Sequence, residues 1–424
     1  MKEEFLQYLW ATKQVCPSDL ITTLGQSIKI INTGEQNFHS GPDFFNANLK
    51  INDILWTGNV EIHIKTSDWL KHKHQNDTAY NNVILHVVFE NDMDLKMNNG
   101  QPMATLVLKN SVDQILYENY LRLVKSPAKI ACAIQVKEIP AIKMISWLSK
   151  VVVERLERKV GELKIELEQN SNDWEELFYR HLAKQFGMKI NADPFQWLAA
   201  ALPFTTVSRQ KDSLLQLESI LFGQSGLLPE IEEDDYTATL IREYLFLQTK
   251  FQLRPLPTHS WKFMRLRPNN FPTIRIAQLA GLLYRQPKLF RLCMETTNLA
   301  ELNNIFEVSA SDYWNNHYRF GKISKNYQKN LGKQAINVIL INTVVPFKFL
   351  YGKVNGDDTL VQDSISLLEK IESEDNKIIR AWKSAGILPG AALESQALLE
   401  LQKIYCDKKQ CLRCELGNYL LGRN

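Results

Sequence analysis

The spacing of apolar positions changes near residue 130, and the change predicts two domains. Before it, apolar and polar residues alternate with the period of two that is typical of β-strands. The predicted strands cover residues 27–32, 45–51, 55–65, 82–90 and 103–109. Helical spacing predicts flanking helices at residues 3–15 and 116–125. This part of the chain therefore predicts a mixed sheet with helices packed on it.

Beyond residues 126–140, where Pro127 and Pro140 mark the boundary, apolar residues recur three and four positions apart. This spacing predicts helices at about residues 141–169, 173–186, 194–201, 213–222 and 236–250, and another from Ile274. No fixed-period repeat accompanies them. The predicted fold is an α+β domain at residues 1–130, followed by a mainly α-helical domain at residues 131–424.

The strand at residues 55–65 carries the most specific chemical pattern. In its VEIHIK run, Glu61, His63 and Lys65 share one face, and the intervening valine and isoleucines share the other. One face thus packs into a core, while the other presents an acid, an imidazole and an ammonium in a row.

Asp43 is the second candidate acid. It follows Gly41-Pro42 at a turn into the strand at residues 45–51, and the short INDI connection predicts a hairpin with the Glu61 strand. If the two strands pair, Asp43 and Glu61 lie near the same end of the sheet. Two converging carboxylates with a nearby cation suit Mg²⁺ or Mn²⁺, which activates water for attack on a phosphodiester.

Five of the eight histidines lie between residues 39 and 90. His86 sits in an apolar strand, as core histidines do, but that strand would neighbour the Glu61 strand, so a metal-binding role stays open. For His72 and His74 a solvated loop is the favoured interpretation, with metal ligation as the alternative. A histidine-rich site of His39, His63, His86 and Glu61, binding zinc or another transition metal, is a further alternative.

An Asp after Pro on one strand and an acid two residues before a cation on the next resemble the PD-(D/E)XK nuclease superfamily. The resemblance covers about the first 110 residues. It implies that Asp43 and Glu61 hold Mg²⁺ or Mn²⁺ and that the protein cleaves DNA or RNA. His63 stands where the motif has lysine, and Lys65 or His63 would orient the attacking water.

In the same superfamily pattern, Glu3 or Glu4 would supply an optional first acid, although a first-turn carboxylate that stabilises its helix is the simpler interpretation. Because His63 replaces the motif lysine, a non-catalytic module that binds nucleic acid or protein is the alternative function.

A second resemblance covers nearly the whole chain. The runs GPDFFNA, GNVEIHIKTSDWLKH, YNNVILHVV, RLRPNNFPTIRIAQLA and CLRCELG are similar to a bacterial family known only as a domain of unknown function. This resemblance implies no activity.

Within the helical domain, Arg265, Arg267 and Arg275 surround two prolines ahead of an apolar helix. Arginine forks at a helix start can hold the phosphates of a nucleic-acid backbone. The simpler interpretation is that Arg265 and Arg267 pair with acids and join the two domains. A second basic run, residues 319–329, mixes aromatic residues with lysines as single-strand binders do.

Cys406, Cys411 and Cys414 lie close together near the end of the chain, at a spacing that suits Zn²⁺ or an iron-sulfur cluster. Three ligands need a fourth, for which Cys16, Cys132, Cys293 or a histidine are candidates. The alternative is a set of reduced, partly buried thiols.

Composition narrows the picture further. The net charge of +3 is too small to indicate nucleic-acid binding, but residues 1–130 carry 12 Lys and Arg against 14 Asp and Glu, so the positive excess lies in the second part. The N-terminus carries acids and no long apolar run, and no uninterrupted apolar stretch of about 18 residues occurs, which predicts no secretory signal and no membrane span. We therefore expect a cytoplasmic protein with reduced cysteines.

Overall fold

The computed structural model describes residues 1–15, 20–97 and 100–422. The chain forms two compact units, Met1–Met144 with Gln402–Asn424, and Ile145–Leu401. The sequence prediction assigns residues 402–424 to the helical domain, whereas the structure groups them with the first unit. The physical reason is apolar packing, since Leu421, Leu412 and Cys411 contribute to the core beneath the sheet.

Within the described residues, seven strands of the first unit form one mixed sheet in the order β1-β2-β4-β5-β6-β7, with β3 paired to β4. The strands are β1 (Leu20–Ile21), β2 (Ser27–Asn32), β3 (Glu35–Gln36), β4 (Phe44–Ile51), β5 (Ile54–Lys65), β6 (Val83–Glu90) and β7 (Thr105–Val107). The helices of this unit are α1 (Glu3–Ala11), α2 (Asp68–Lys71), α3 (Gln114–Lys125) and α18 (Glu415–Leu421). The predicted mixed sheet with flanking helices is confirmed.

The β4–β5 hairpin closes where the sequence predicts it. Asn52 and Asp53 both have positive φ, as a two-residue turn between antiparallel strands requires, and Ile51 pairs with Ile54. At the other end of the hairpin Phe44 pairs with Val60. This register brings the start of β4 beside Glu61.

Strands β5 and β6 are parallel, so the chain must cross over between them. The crossover contains α2 and the 3-10 turns His74–Asn76 and Thr78–Tyr80. These short elements contact the β5 face that carries Glu61 and His63, and Trp69 of α2 is buried there. On the opposite face, Val60 and Ile62 pack in the core with residues of α1 and α3. The part of β5 from Gly58 to His63 is therefore covered on both faces, whereas residues 54–57 are exposed.

The second unit is mainly helical, as predicted. Its elements begin with the long helix α4 (Ala141–Gln169), which starts in the first unit, and continue with α5 (Trp174–Phe186), α6 (Ala192–Ala201), α7 (Phe204–Ser208), α8 (Leu214–Ser225), α9 (Asp235–Phe251), α10 (Pro272–Arg285), α11 (Leu289–Glu295), α12 (Leu299–Phe306), β8 (His317–Arg319), β9 (Lys322–Ile323), α13 (Lys333–Ile339), α14 (Val345–Asn355), α15 (Asp358–Lys370), α16 (Lys377–Ser384) and α17 (Ala392–Glu400). Strands β8 and β9 form a separate hairpin.

Helices α13 and α14 join through the π-helical segment Leu340–Val344 into one apolar stretch, Lys333–Asn355. In the part of the chain that the structure describes, this is the one helical stretch long and apolar enough to cross a membrane. Its most apolar window is 78% buried inside the fold, as in the core helix of a globular protein.

Candidate metal centre

Asp43 is held by a rigid turn before β4. Gly41, with φ of +101°, adopts a backbone conformation that favours glycine. The Asn37 side-chain amide donates to the carbonyls of His39, Ser40 and Pro42, and the Asn37 backbone N–H donates to the Asp43 carbonyl at 2.7 Å. The turn fixes the backbone of Asp43 immediately before the first residue of β4.

Asp43 and Glu61 hold each other through the sheet backbone. The Asp43 N–H donates to Glu61 Oε2 at 3.0 Å, and the Ile62 N–H donates to Asp43 Oδ2 at 3.0 Å. Asp43 Oδ1 also accepts from Gln7 Nε2 of α1 at 2.8 Å. The two acids selected from the sequence therefore converge at one end of the sheet.

Burial and mutual repulsion raise the pKa of the carboxyls in this cluster. Burial, followed by the charge of Asp43, raises the pKa of Glu61 to about 9, and burial raises the pKa of Asp43 to about 6. Burial, followed by the charges of Asp43 and Asp68, raises the pKa of Glu3 of α1 to about 7. A cation bound beside Asp43 and Glu61 would favour the charged forms of both carboxyls.

His63 lies on β5 two residues after Glu61 and has 1% of its side chain exposed. Its Nδ1 lies 2.9 Å from Nε2 of His86, which is fully buried on the neighbouring strand β6. With His86 accepting from Nδ1–H, the Nε2 lone pair of His63 is directed away from it. This is the arrangement in which a second group orients a metal-binding imidazole.

His72 and His74 bring two more imidazoles to the same point. His63 Nε2 lies 3.1 Å from His72 Nδ1 and 3.4 Å from Glu61 Oε1, and His74 Nε2 lies 3.3 Å from the same carboxylate oxygen. In the described part of the chain, one ligand nitrogen of each of these three histidines lies within 4.8 Å of the others. Ligands about 2.05 Å from a tetrahedral zinc ion are separated by roughly 3.3 Å. The spacing therefore fits a four-coordinate transition metal.

The contacts of His63 and His74 with Glu61 are not ion pairs, because both imidazoles are neutral. Burial and the neighbouring imidazoles lower the pKa of His63 to about 2, and burial lowers the pKa of His74 to about 4 and that of His86 to about 3. Neutral imidazole is the form that binds metal. Among the described residues, buried His74 Nε2 has no hydrogen-bond partner, and a bound metal would satisfy it.

The path of the crossover explains how His72 and His74 reach this face. Helix α2 ends at Lys71, Lys73 adopts a left-handed conformation with φ of 62°, and the next 3-10 turn begins at His74. The His74 ring stacks on Tyr80 with a centroid separation of 3.8 Å. His72 and His74 are two residues apart in DWLKHKH, and the left-handed conformation of Lys73 between them directs both imidazoles towards His63.

Other predicted site residues lie apart from this cluster. Lys65 is exposed, so its ammonium does not join Asp43 and Glu61, and its backbone N–H donates to Asp68 Oδ2. His39, part of the histidine-rich alternative, is also exposed. The solvated-loop interpretation is wrong for His74, whose side chain is 11% exposed, whereas His72 is exposed but touches His63.

A cavity of about 360 Å³ adjoins the imidazole cluster through His74. Trp69, Tyr80 and Met103 form part of its wall, and Lys96 contributes a basic side chain. The imidazole cluster therefore has a neighbouring space in which a small group can lie. His72, at the edge of the cluster, is exposed.

The three predicted arginines occupy different environments. Arg265 and Arg267 are exposed, and neither forms an ion pair with any described residue, so the predicted pairing with acids is not found. Arg275 lies on α10 and is buried. Arg267 and Arg275 line one cavity of about 510 Å³, whereas Arg265 does not.

The C-terminal cysteines share the first compact unit with one of the candidate partners, Cys132. The pKa of the Cys406 thiol is raised far above its usual value by burial and then by Cys414, Cys132 and Cys411, and burial followed by Cys414 and Cys411 raises that of Cys132 to about 12. Cys293 lies in the other compact unit, and Cys16 lies outside the described residues.

Comparison with known proteins identifies the family and leaves the activity open. No curated protein and no solved structure matches the chain. The family described as protein of unknown function DUF2851 matches residues 3–377, which include every residue of the imidazole and carboxyl clusters. The chain therefore belongs to the DUF2851 family.

Proposed function

We propose that this protein is a metal-dependent hydrolase whose centre is held by His63, His72 and His74. The observation that carries the proposal is that one ligand nitrogen of each histidine lies within 4.8 Å of the other two, with His63 Nε2 3.1 Å from His72 Nδ1. A nitrogen-rich set favours zinc or a similar transition metal over Mg²⁺, which prefers oxygen ligands.

Glu61 acts in this proposal as the base beside the metal. A metal held by the three histidines would lower the pKa of a bound water towards neutrality. Glu61 Oε1 lies 3.4 Å from His63 Nε2 and 3.3 Å from His74 Nε2, close enough to accept a proton from that water. The charge of the metal would keep Glu61 ionised despite its burial.

The substrate class follows from the cavity beside His74. Its aromatic wall suits an apolar or planar group, and Lys96 provides a positive charge for an anionic one. A phosphoester fits both features, and an activity screen should begin with aryl phosphate monoesters and diesters.

Metal binding is the first test. Protein stripped with a chelator is titrated with Zn²⁺ and Mn²⁺ by calorimetry, beside the His72→Ala/His74→Ala variant. We expect the double variant to lose tight binding, and His39→Ala to bind as the wild type does, because His39 is exposed and outside the cluster. Equal affinity in all three proteins would reject the proposed centre.

Glu61→Gln separates catalysis from metal binding. We expect this variant to keep zinc and to lose roughly 100-fold or more in kcat towards an aryl phosphodiester that the wild type cleaves, the size of a typical general-base contribution. Loss of zinc in Glu61→Gln would instead make Glu61 the fourth ligand of a closed, structural site, and would end the hydrolase proposal.

A Mg²⁺- or Mn²⁺-dependent nuclease is the second candidate function. The contact between Asp43 and the Glu61 strand supports it, because converging carboxyls form the oxygen-rich set that these ions prefer. Its substrate would be DNA or RNA. Asp43→Asn would abolish Mg²⁺-dependent cleavage of labelled oligonucleotides, while His72→Ala/His74→Ala would leave it intact; the opposite pattern favours the histidine centre.

If the wild type and all of these variants bound nucleic acid without cleaving it, the non-catalytic binding module would be favoured.

We also propose that Cys132, Cys406, Cys411 and Cys414 hold a separate structural zinc ion or iron-sulfur cluster. The support is that these four thiols, of which Cys414 is buried and the others partly buried, lie in one compact unit and influence one another electrostatically, four being the ligand number of such sites. Cys406→Ser should lower the metal content of purified protein without affecting the metal that His72→Ala/His74→Ala removes; unchanged metal content would reject this site.

A further inference from the structure

Arg275, on the first turns of α10, is a buried cation with no counterion among the described residues. It is 5% exposed. Its Nη1 donates to Gln278 Oε1 at 3.1 Å and its Nη2 to Asn270 Oδ1 at 2.7 Å, both neutral amides. Among the described residues, its buried Nε has no hydrogen-bond partner. A guanidinium normally enters a protein interior with a carboxylate or another anion beside it.

Lys329 is a second buried cation in the same part of the fold. It is 1% exposed, and its ammonium donates to the carbonyls of Asn315 and Tyr327 at 2.8 Å and 3.1 Å. It also lies 3.6 Å from the Tyr327 ring centroid and 4.5 Å from that of Tyr318. The Lys329 carbonyl accepts from Gln278, the residue that contacts Arg275.

No acid offsets this positive charge within the described residues. Burial alone lowers the pKa of Arg275 to about 10, and burial alone lowers that of Lys329, with no neighbouring carboxylate opposing either shift. Arg275 also borders open space. Arg275 lines the cavity of about 510 Å³ together with Arg267, and the tyrosines beneath Lys329 line it too.

We propose that this cavity binds the phosphate group of a small molecule through Arg275 and Arg267. The unused Nε of Arg275 supplies a donor, exposed Arg267 supplies a second guanidinium, and Lys329 adds positive charge from behind Tyr318 and Tyr327. Planar guanidinium groups match phosphate oxygens in charge and in geometry. The volume lies within the range of pockets for small ligands.

Burial decides between a small ligand and a nucleic-acid backbone. Proteins that track nucleic-acid backbones use positively charged grooves that remain open to the strand. Arg275 is nearly closed off, so its phosphate must enter the cavity. Tyr318, Tyr327 and Asn269 form a hydrogen-bonded group on the cavity wall, which provides polar and aromatic contacts for the rest of such a molecule.

Phosphate binding is tested on the full-length protein in the presence of a chelator, so that no metal at the histidine cluster can hold the anion. Thermal unfolding is followed with increasing inorganic phosphate and, separately, with chloride at matched ionic strength. We expect phosphate to raise the melting temperature of the wild type and chloride not to, because only phosphate offers several acceptors to the arginines.

Arg275→Met keeps the side-chain length and removes the charge. We expect this variant to bind phosphate roughly 10- to 100-fold more weakly, which is the usual loss when a charge-assisted contact is removed. Without phosphate, it should melt at a higher temperature than the wild type, because an uncompensated buried charge is gone. Arg267→Met, at an exposed position that folding does not depend on, should weaken phosphate binding by about tenfold. Arg291→Met, which removes an exposed arginine paired with Glu295, should change nothing.

Equal effects of phosphate and chloride on the wild type, or full phosphate stabilisation in both Arg275→Met and Arg267→Met, would overturn the proposal. A single-stranded oligonucleotide that binds in an Arg275-dependent way, without any binding of inorganic phosphate or a nucleoside monophosphate, would also overturn it. Because the chelator silences the metal centre, these results do not depend on whether the proposed hydrolase is correct.

Discussion

Around Glu61, carboxyls and neutral imidazoles share a buried face of the sheet. Around Arg275, a guanidinium and an ammonium are buried in the helical unit among amides and tyrosines. In the first region burial raises the pKa values of acids and lowers those of histidines; in the second it lowers those of the cations. Among the described residues, each region gathers ionisable groups of one kind, without a group of opposite charge to pair with them.

The difference indicates which ligand each region suits. Neutral imidazole nitrogens and carboxyl oxygens that converge suit a cation, whereas donors without acceptors suit an anion. An ordinary structural cluster contains both partners. Arg155 and Arg158 with Glu400 are such a case, because the carboxylate accepts from both guanidinium groups at 2.7–2.9 Å. That cluster carries no functional proposal.

The largest expected effect comes from His63→Ala. With zinc at about 100 times its dissociation constant, the wild type gains about 2.7 kcal/mol of unfolding free energy, which this variant forfeits. The variant also leaves His86 Nε2 without its partner, which costs a further 1–3 kcal/mol or so. Urea denaturation with and without zinc measures both losses. His39→Ala serves as the control, and a similar loss there would remove the distinction between the cluster and an ordinary surface histidine.

Burial alone is tested by Glu218, a carboxyl that is 2% exposed and accepts from Tyr236 at 3.0 Å. Burial raises its pKa from 4.5 to about 7. The folded state therefore holds this proton more tightly than the unfolded state, so its contribution to stability is complete below about pH 4.5 and disappears as the pH rises towards 7.

Glu218→Gln should consequently raise the unfolding free energy at pH 8 by something on the order of 3 kcal/mol and leave it nearly unchanged at pH 4.5. Urea denaturation at the two pH values measures this, with exposed Glu232→Gln as the matched control. An equal gain in unfolding free energy at both pH values would show that burial does not shift the pKa of Glu218. It would then weaken the electrostatic argument that distinguishes the Glu61 region from the Arg275 region.

A smaller effect is expected at His86, which acts through His63. His86→Leu removes the acceptor for His63 Nδ1–H and should weaken zinc binding by roughly 10- to 100-fold, the usual cost of losing such a partner. His86→Gln retains an amide oxygen that can accept the same proton, and should restore much of the affinity. Calorimetric titration of both variants measures this, and equal weakening by Leu and Gln would assign His86 a packing role only.

The smallest expected effect is the coupling between the two regions. Because they belong to different compact units, the changes in unfolding free energy from His63→Ala and Arg275→Met should add to within about 0.5 kcal/mol in the double variant. Thermal and urea unfolding of the two single variants and the double variant give this value. A larger coupling would show that the regions respond to each other, so that their ligands could not be assigned separately.

Local sequence pattern predicted much of the fold, because the periods of helices and strands depend on neighbouring residues. The strand at 27–32 and the helix at 141–169 have the predicted bounds, and the hairpin at Asn52 and Asp53 closes as expected. The C-terminal residues could not be assigned in this way. Their apolar side chains fit many cores, and only the folded chain shows that Leu421 packs beneath the sheet.

The alternation in VEIHIK by itself determined that Glu61 and His63 share a face, and the turn at Gly41 marked Asp43 as an acid near a strand end. The tertiary structure decided which other groups join them. The pairing of β5 with β6 brings His86 to His63, and the left-handed residue Lys73 turns His72 and His74 onto the cluster, whereas Lys65 extends into solvent. Strand alternation is a local property, but register, crossover path and the burial of a charge depend on contacts between residues distant in the chain.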